Sequence, residues 1–285
     1  MLLQSGEKPA LRCKMLSLMR AIAAGITDVG KERDHNEDRF VLLPEFDVYV
    51  VADGMGGHQC GEVASRMATG TIAGYFRTRG MGAVNSAHAG DVLRSALLEA
   101  NDRIHRRAIT SPVHRGMGTT AVAAAFDPGR KMVHVAHAGD SRCYLLRDGE
   151  LVRLTRDHSL VEEALRTRPD ITKSELAYLP ANVITRALGV EATVDVEVSS
   201  ESIRSGDVYL LCSDGLHGFV QDDRIHEIML AHKVLTNACT ALVDAANKNG
   251  GGDNITAVVV RVEPHDDPWY SRDTLPAPEE LVSSG

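Results

Sequence analysis

No apolar run among the 285 residues is long enough to cross the hydrocarbon core of a bilayer. The stretch Met15–Ile26 is broken by Arg20 and builds no hydrophobic region of the kind a secretory signal requires. Positive charge is also short. The net charge of −8 excludes a general electrostatic footprint for nucleic acid or an anionic membrane. Cysteine is sparse and scattered: Cys13, Cys60, Cys143, Cys212 and Cys239 form no C-x-x-C pair. That spacing excludes a disulfide framework and a cysteine zinc site, and it places the chain in a reducing cytoplasm. Each cysteine reads as a small buried hydrophobe. No internal repeat or linker divides the core.

What is present is an ordinary globular composition, 44% hydrophobic and 25% charged, with length for a sizeable core. Residues 1–20 lack a clear period and read as a flexible leader. Strands are expected at Ala21–Val29, Arg39–Leu43 and the run ending at Asp53. Helices are expected at Glu62–Arg79 and Asp91–Ile109. Two hairpins follow, Thr119–Phe126 with Lys131–His137 and Ser141–Arg147 with Glu150–Leu154, turning on Asp127-Pro128-Gly129-Arg130 and Asp148-Gly149. Residues 155–188 are polar and broken by Pro169 and Pro180, an excursion that reads as a mobile flap. Strands return at Val194–Val198, Val208–Cys212 and Asn254–Val262, with helices at Asp222–Ala231 and Val234–Lys248. From Pro264 the composition predicts a disordered acidic tail, residues 264–285. Hairpin-joined strands with paired helices predict an α+β fold, two packed antiparallel sheets with helices outside, over residues 21–263.

The chain is organised around Val48-Tyr49-Val50-Val51-Ala52-Asp53-Gly54-Met55-Gly56-Gly57-His58. A buried strand holds Asp53 rigidly at its end, and the glycines allow close backbone approach to a ligand. A carboxylate beside a bare carbonyl suits Mg²⁺ or Mn²⁺. Asp140, Asp214 and Asp253 share this strand-end, glycine-flanked setting, and Glu37-Asp38 open a strand. Each alone also reads as a turn aspartate. Together, carboxylates at one end of a sheet repel one another unless cations neutralise them. An acidic chain that handles phosphorylated substrates needs such a local source of positive charge.

These stretches resemble the metal-dependent PPM (PP2C-type) serine/threonine protein phosphatases of bacterial type. The matching segments are Thr27-Asp28-Val29-Gly30 with Arg33 and Asn36-Glu37-Asp38, the Asp53 segment, and Met117-Gly118-Thr119-Thr120. They continue through Gly139-Asp140-Ser141-Arg142, Ile184-Thr185-Arg186-Ala187-Leu188-Gly189, Cys212-Ser213-Asp214-Gly215-Leu216 and Asp253-Asn254-Ile255-Thr256. The resemblance implies a four-layer α-β-β-α sandwich with a dinuclear metal cleft between the sheets. By it, Asp53 bridges two Mn²⁺ or Mg²⁺ ions, the Gly54 carbonyl binds one, and Asp214 and Asp253 complete the other. Asp140, with Asp214, matches the position of a weaker third ion. Glu37 and Asp38 point to opposite faces of a strand, so at most one faces the metals directly. Asp38 is assigned that place, through metal-bound water, with Glu37 the second candidate. Arg33 matches the residue that grips the substrate phosphate, and its planar fork suits the task. Arg33 and Asp38 are the catalytic candidates.

The activity implied is hydrolysis of phosphoserine and phosphothreonine by a metal-activated water attacking phosphorus in line, without a covalent intermediate. The partners implied are phosphorylated proteins and an opposing serine/threonine kinase, the chain acting as a cytoplasmic monomer. Met55 replaces the histidine that many eukaryotic members offer as proton donor; His58 follows it and also reads as structural. Leu179-Pro180 stands where bacterial members often carry His-Pro. The Cys60-to-Arg66 spacing matches cysteine phosphatases but runs into a helix with Glu62 inside it, and is coincidence. Two alternatives stay open at this stage: a phosphatase-like module that binds phosphoproteins without hydrolysis, and a structural or Ca²⁺-binding β-sandwich.

Overall fold

A computed structural model of the chain describes residues 18–56, 60–79, 88–176, 178–180 and 183–265. The apolar runs divide between two antiparallel sheets. The first contains β1 (Leu18–Asp28), β7 (Arg142–Arg147), β8 (Glu150–Arg153), β10 (Val208–Cys212) and β11 (Ile255–His265), ordered β1-β11-β10-β7-β8. The second runs β2 (Asp38–Leu43), β3 (Val48–Met55), β5 (Ala121–Asp127), β6 (Met132–Ala138) and β9 (Glu197–Ser202), and short β4 (Gly118–Thr119) pairs with the end of β3. Helices α1 (Cys60–Arg79) and α2 (Ala89–Thr110) pack on the second sheet, and α6 (Asp222–Ala231) and α7 (Leu235–Lys248) on the first. Three shorter helices, α3 (Leu160–Thr167), α4 (Lys173–Leu176) and α5 (Asp214–His217), complete the described α-helices, and 3-10 turns lie at Pro44–Phe46 and Pro112–His114.

Period-two alternation builds this sandwich, because successive strand residues point to opposite faces. Val48, Val50 and Ala52 of β3 face the core under α1 and α2, while Tyr49 and Val51 face the other sheet. On β11, Ala257 and Val259 face α7, while Val258, Val260 and Val262 meet the second sheet. Both faces of each central strand are therefore covered, which is why these antiparallel strands read as continuous apolar runs. Tyr49, Phe126 and Tyr209 fill the inter-sheet layer edge to face, with ring centroids 5.8 and 5.0 Å apart.

Several boundaries differ from the sequence reading. Residues 18–20, assigned to the leader, belong to β1, and residues 264–265, assigned to the tail, belong to β11. Backbone pairing carries both extensions: Leu18, Met19 and Arg20 register with His265, Pro264 and Glu263. Pro264 is tolerated because β10 registers with β11 only from Ala257 to Arg261, leaving one side of the ladder open there. The strand expected at Val194–Val198 lies instead at Glu197–Ser202, pairing with β6. Its polar sequence suits a sheet edge, while Val196 turns into the core beneath α2.

Candidate metal and phosphate site

Five acidic segments reach one end of the two sheets because of where the strands stop. Asp38 opens β2 in register with Asp53 near the end of β3. Asp140 follows β6, and Asp214 follows β10 as the first residue of α5. Asp253 precedes β11, whose first residues lie beside the last of β10. Two glycines make the closeness possible. A Cβ on Gly54 would collide with the backbone of Gly61 and Glu37, so glycine lets α1 start directly over the end of β3. Gly30, at φ +79°, sits against the backbone of Asp253 and Gly251, joining the Arg33 loop to the Asp253 loop.

The result is a cleft of about 270 Å³ lined by Glu37, Asp53, Gly54, Asp140, Asp214 and Asp253, with Arg33 at its wall. Threonines fix the Asp53 backbone: Thr119 Oγ1 and Thr120 N both donate to the Asp53 carbonyl at 2.8 Å. Asp38 is fully buried. Its Oδ2 accepts from Ser213 Oγ at 2.6 Å and Thr256 Oγ1 at 2.7 Å, while its buried Oδ1 has no partner among the described residues.

Burial and mutual repulsion set the electrostatics. Burial pushes Asp38 up to about 7 against the lowering hydrogen bonds of Ser213 and Thr256, and the charges of Asp214 and Asp253 add to the rise. Asp53 is held well above the carboxylate range, first by burial and then by the charges of Asp38 and Asp214. Asp140 rises to about 7 through burial and the charge of Asp214. Asp214 and Glu37 are also raised, each chiefly by burial, with Arg33 opposing it at both. A cluster whose members each resist ionisation is stabilised by positive charge. The donors are all hard oxygens, and one buried carboxylate oxygen lacks a partner. Both features fit Mg²⁺ or Mn²⁺ and would suit a soft metal poorly.

Asp53, Gly54, Asp140, Asp214 and Asp253 come together as read from the sequence. The opposite pointing of Glu37 and Asp38 is also seen, but Glu37 lines the open cleft, whereas Asp38 lies under its floor. Arg33 Nη2 donates to Asp253 Oδ2 at 2.7 Å, its side chain 51% exposed. Met55 lines the cleft, and His58 lies outside the described residues. The sequence reading assigned no role to Ser213, Thr256, Thr120 or Asn254, although all four stand inside its motifs. Asn254 accepts from Glu37 N at 2.8 Å and donates to the carbonyls of Val29 and His35 at 2.9 Å, fastening the loop that carries Arg33.

The 155–188 segment is pinned near its ends by bridges Ser159–Ile184 and Thr119–Leu188. Its α3 buries no residue. Behind Asp140, His137, His158 and Glu197 bring possible ligand atoms within 4.8 Å of one another. Their geometry serves hydrogen bonding instead. The imidazoles stack at 4.5 Å with nearly parallel planes, so their in-plane lone pairs do not converge. His158 Nδ1 accepts from Gly139 N, His158 N donates to the Gly139 carbonyl, and the Arg186 guanidinium stands 3.3 Å from Nε2. The group braces the 155–188 segment against the Asp140 turn.

The protein phosphatase 2C family model matches residues 25–255. The serine/threonine phosphatase stp of Listeria monocytogenes serovar 1/2a is 38% identical over 238 residues, spanning 82% of this chain and 93% of that protein. The crystal structure of the Mycobacterium tuberculosis serine/threonine phosphatase PstP/Ppp superposes with a TM-score of 0.76 at 34% identity, covering 86% of this chain and 99% of that one. A structure of the PstP catalytic domain in complex with two manganese ions superposes at 0.75, with the same identity and coverage.

Proposed function

This chain belongs to the protein phosphatase 2C family, as a metal-dependent serine/threonine protein phosphatase of bacterial type, and from that premise we propose how its residues act. The substrates are phosphoserine and phosphothreonine in proteins phosphorylated by an opposing serine/threonine kinase. The ester is cleaved by water in line, and the chain works as a cytoplasmic monomer. One observation carries the reading: buried carboxylates with raised pKa values converge beside a half-exposed guanidinium.

In this proposal Asp53, the Gly54 carbonyl, Asp214 and Asp253 hold two Mn²⁺ or Mg²⁺ ions, and Asp140 with Asp214 holds a weaker third. Bound there, the ions supply the countercharge and the acidified water that phosphate ester hydrolysis requires. The remaining roles belong to the chain. Arg33 exchanges its Asp253 partner for the substrate phosphoryl oxygens, a charge-assisted contact that holds phosphorus at the cleft mouth. Asp38, its Oδ2 clamped by Ser213 and Thr256, turns the free Oδ1 to accept a hydrogen bond from water at the floor. Glu37 borders the cleft itself. Met55 has no proton to give, so the leaving alkoxide is protonated without it. The 155–188 segment serves as a flap, a reading supported by its exposed α3 and pinned ends.

Release of inorganic phosphate from phosphoserine and phosphothreonine peptides, with and without Mn²⁺, tests the proposal. Manganese-dependent release is expected. Tight peptide binding without release would support a non-hydrolysing regulatory module instead.

A further inference from the structure

Beside the carboxylate cleft lies a larger cavity of about 930 Å³, and the two share Arg33, Glu37 and Gly56. Its walls differ in chemistry. One is the loop between β1 and β2, where Arg33 turns to Asp253 and leaves Glu32 and Asp34 exposed on the cavity side, in no ion pair among the described residues. The other is mainly apolar, with Cys60 and Val63 of α1 facing Val113, which follows α2, and His114 is the imidazole beside Val113 as His35 is on the loop wall. Val113 is 78% exposed, and Ile109 at the end of α2 is 67% exposed. Cys60 Sγ donates to the Val113 carbonyl at 3.0 Å, so this apolar lip is fastened to α1.

An apolar lip across from two unpaired carboxylates, open to the phosphate-binding cleft, is a site for extended peptide. We propose that this cavity receives the residues flanking the phosphorylated side chain of a protein substrate, and that it selects flanks bearing lysine or arginine. The inference rests on the phosphatase reading above, since it needs the phosphate held at Arg33 while the chain continues into the cavity Arg33 borders. The cationic head pairs with Glu32 and Asp34, and its methylene stem or an apolar neighbour lies on Val63 and Val113. A cavity of this volume accommodates several side chains. An acidic flank meets like charge at the same wall and is disfavoured, so selection comes from repulsion as well as attraction.

The test compares three substrates with Mn²⁺ present: p-nitrophenyl phosphate, and two phosphothreonine peptides identical except for lysines or glutamates beside the phosphoresidue. The wild-type protein should favour the lysine peptide by roughly tenfold in kcat/KM, as expected for two exposed charge pairs turned from attraction to repulsion. Combining Glu32→Lys with Asp34→Lys should erase or invert that ratio. Val113→Lys, on the opposite wall and well exposed, should lower it too. The ratio is the readout, so a change common to both peptides does not affect it. If the wild-type protein hydrolyses all three substrates without preference between the peptides, or keeps its preference in both variants, the cavity inference is overturned and the phosphatase reading stands. If it hydrolyses none of them, the phosphatase reading itself fails and takes the inference with it.

Discussion

Arg33 and Asp253 meet at 2.7 Å across two loops far apart in sequence, and with the roles proposed above that contact divides phosphate binding from metal binding. Removing the guanidinium removes the charge-assisted grip on phosphate, at a cost of about 1.5–3 kcal/mol, or roughly ten- to a hundredfold in kcat/KM. It also frees Asp253. Calorimetry on Arg33→Ala should therefore find Mn²⁺ affinity unchanged or slightly raised; a collapse of Mn²⁺ binding would make Arg33 structural. Asp38 gives a second expectation. Ser213→Ala withdraws one of the two hydroxyls that hold its Oδ2. Turnover should fall several-fold while the Mn²⁺ stoichiometry, measured in the same titration, stays that of the wild-type protein. Equal turnover in Ser213→Ala would mean that the orientation of Asp38 does not matter.

Among the elements, strand ends and the 155–188 segment differ in burial, and the proposed flap role gives that difference a division of labour between rigidity and adaptation. The carboxylates stand where β2, β3, β6, β10 and β11 begin or end, so a core buried on both faces fixes them. The 155–188 segment has little such burial: α3 buries nothing, and Tyr178 is 90% exposed. Low burial implies low local stability. Limited proteolysis of the folded domain should make its first internal cuts between the pinned positions Ser159 and Ile184. Protection there equal to that of β10 would contradict the flap assignment. The same contrast explains what could be read from sequence. Asp53 and Asp214 were legible because an apolar run announces a buried strand and a glycine marks its end. The clamp of Ser213 and Thr256 on Asp38 was not, since it joins three segments and no local pattern specifies such a contact. Short α4 carries no period, and edge strand β9 carries no apolar alternation. The Glu37 and Asp38 alternation was legible, but which face opens to the cleft depends on how the sheets stack. The cavity at Glu32 and Val113 depends on α1, α2 and the β1–β2 loop meeting in space, so no single stretch announces it.

Over the whole molecule, the acidic cleft opposes folding unless its charge is neutralised, and this links stability to pH and to metal. Burial pushes Asp38 and Asp140 up to about 7 in the metal-free folded chain, against the ordinary 3.8 once unfolded. Between those values the folded state binds more protons at these two groups than the unfolded, so their contribution to stability falls as pH rises from about 4 to 7. His158 and His217, whose burial pushes them down to about 4, pull the other way below pH 6.5, so the carboxylates are read from the effect of metal: saturating Mn²⁺ should raise Tm more at pH 8 than at pH 5. Each site filled at a hundredfold excess over its Kd adds about 2.7 kcal/mol. An equal rise at pH 5 and pH 8 would mean that the carboxylates do not repel as their burial implies. The central claim, that this carboxylate floor holds the ions that make the chain a phosphatase, is tested most directly by titrating Mn²⁺ into chelator-treated protein while following p-nitrophenyl phosphate hydrolysis. The account predicts negligible turnover before Mn²⁺ is added, a saturable rise as it is added, and no rise for Asp53→Ala, whose circular dichroism should remain that of the folded domain. Full activity without metal, or near-normal activity of Asp53→Ala at moderate Mn²⁺, would contradict it.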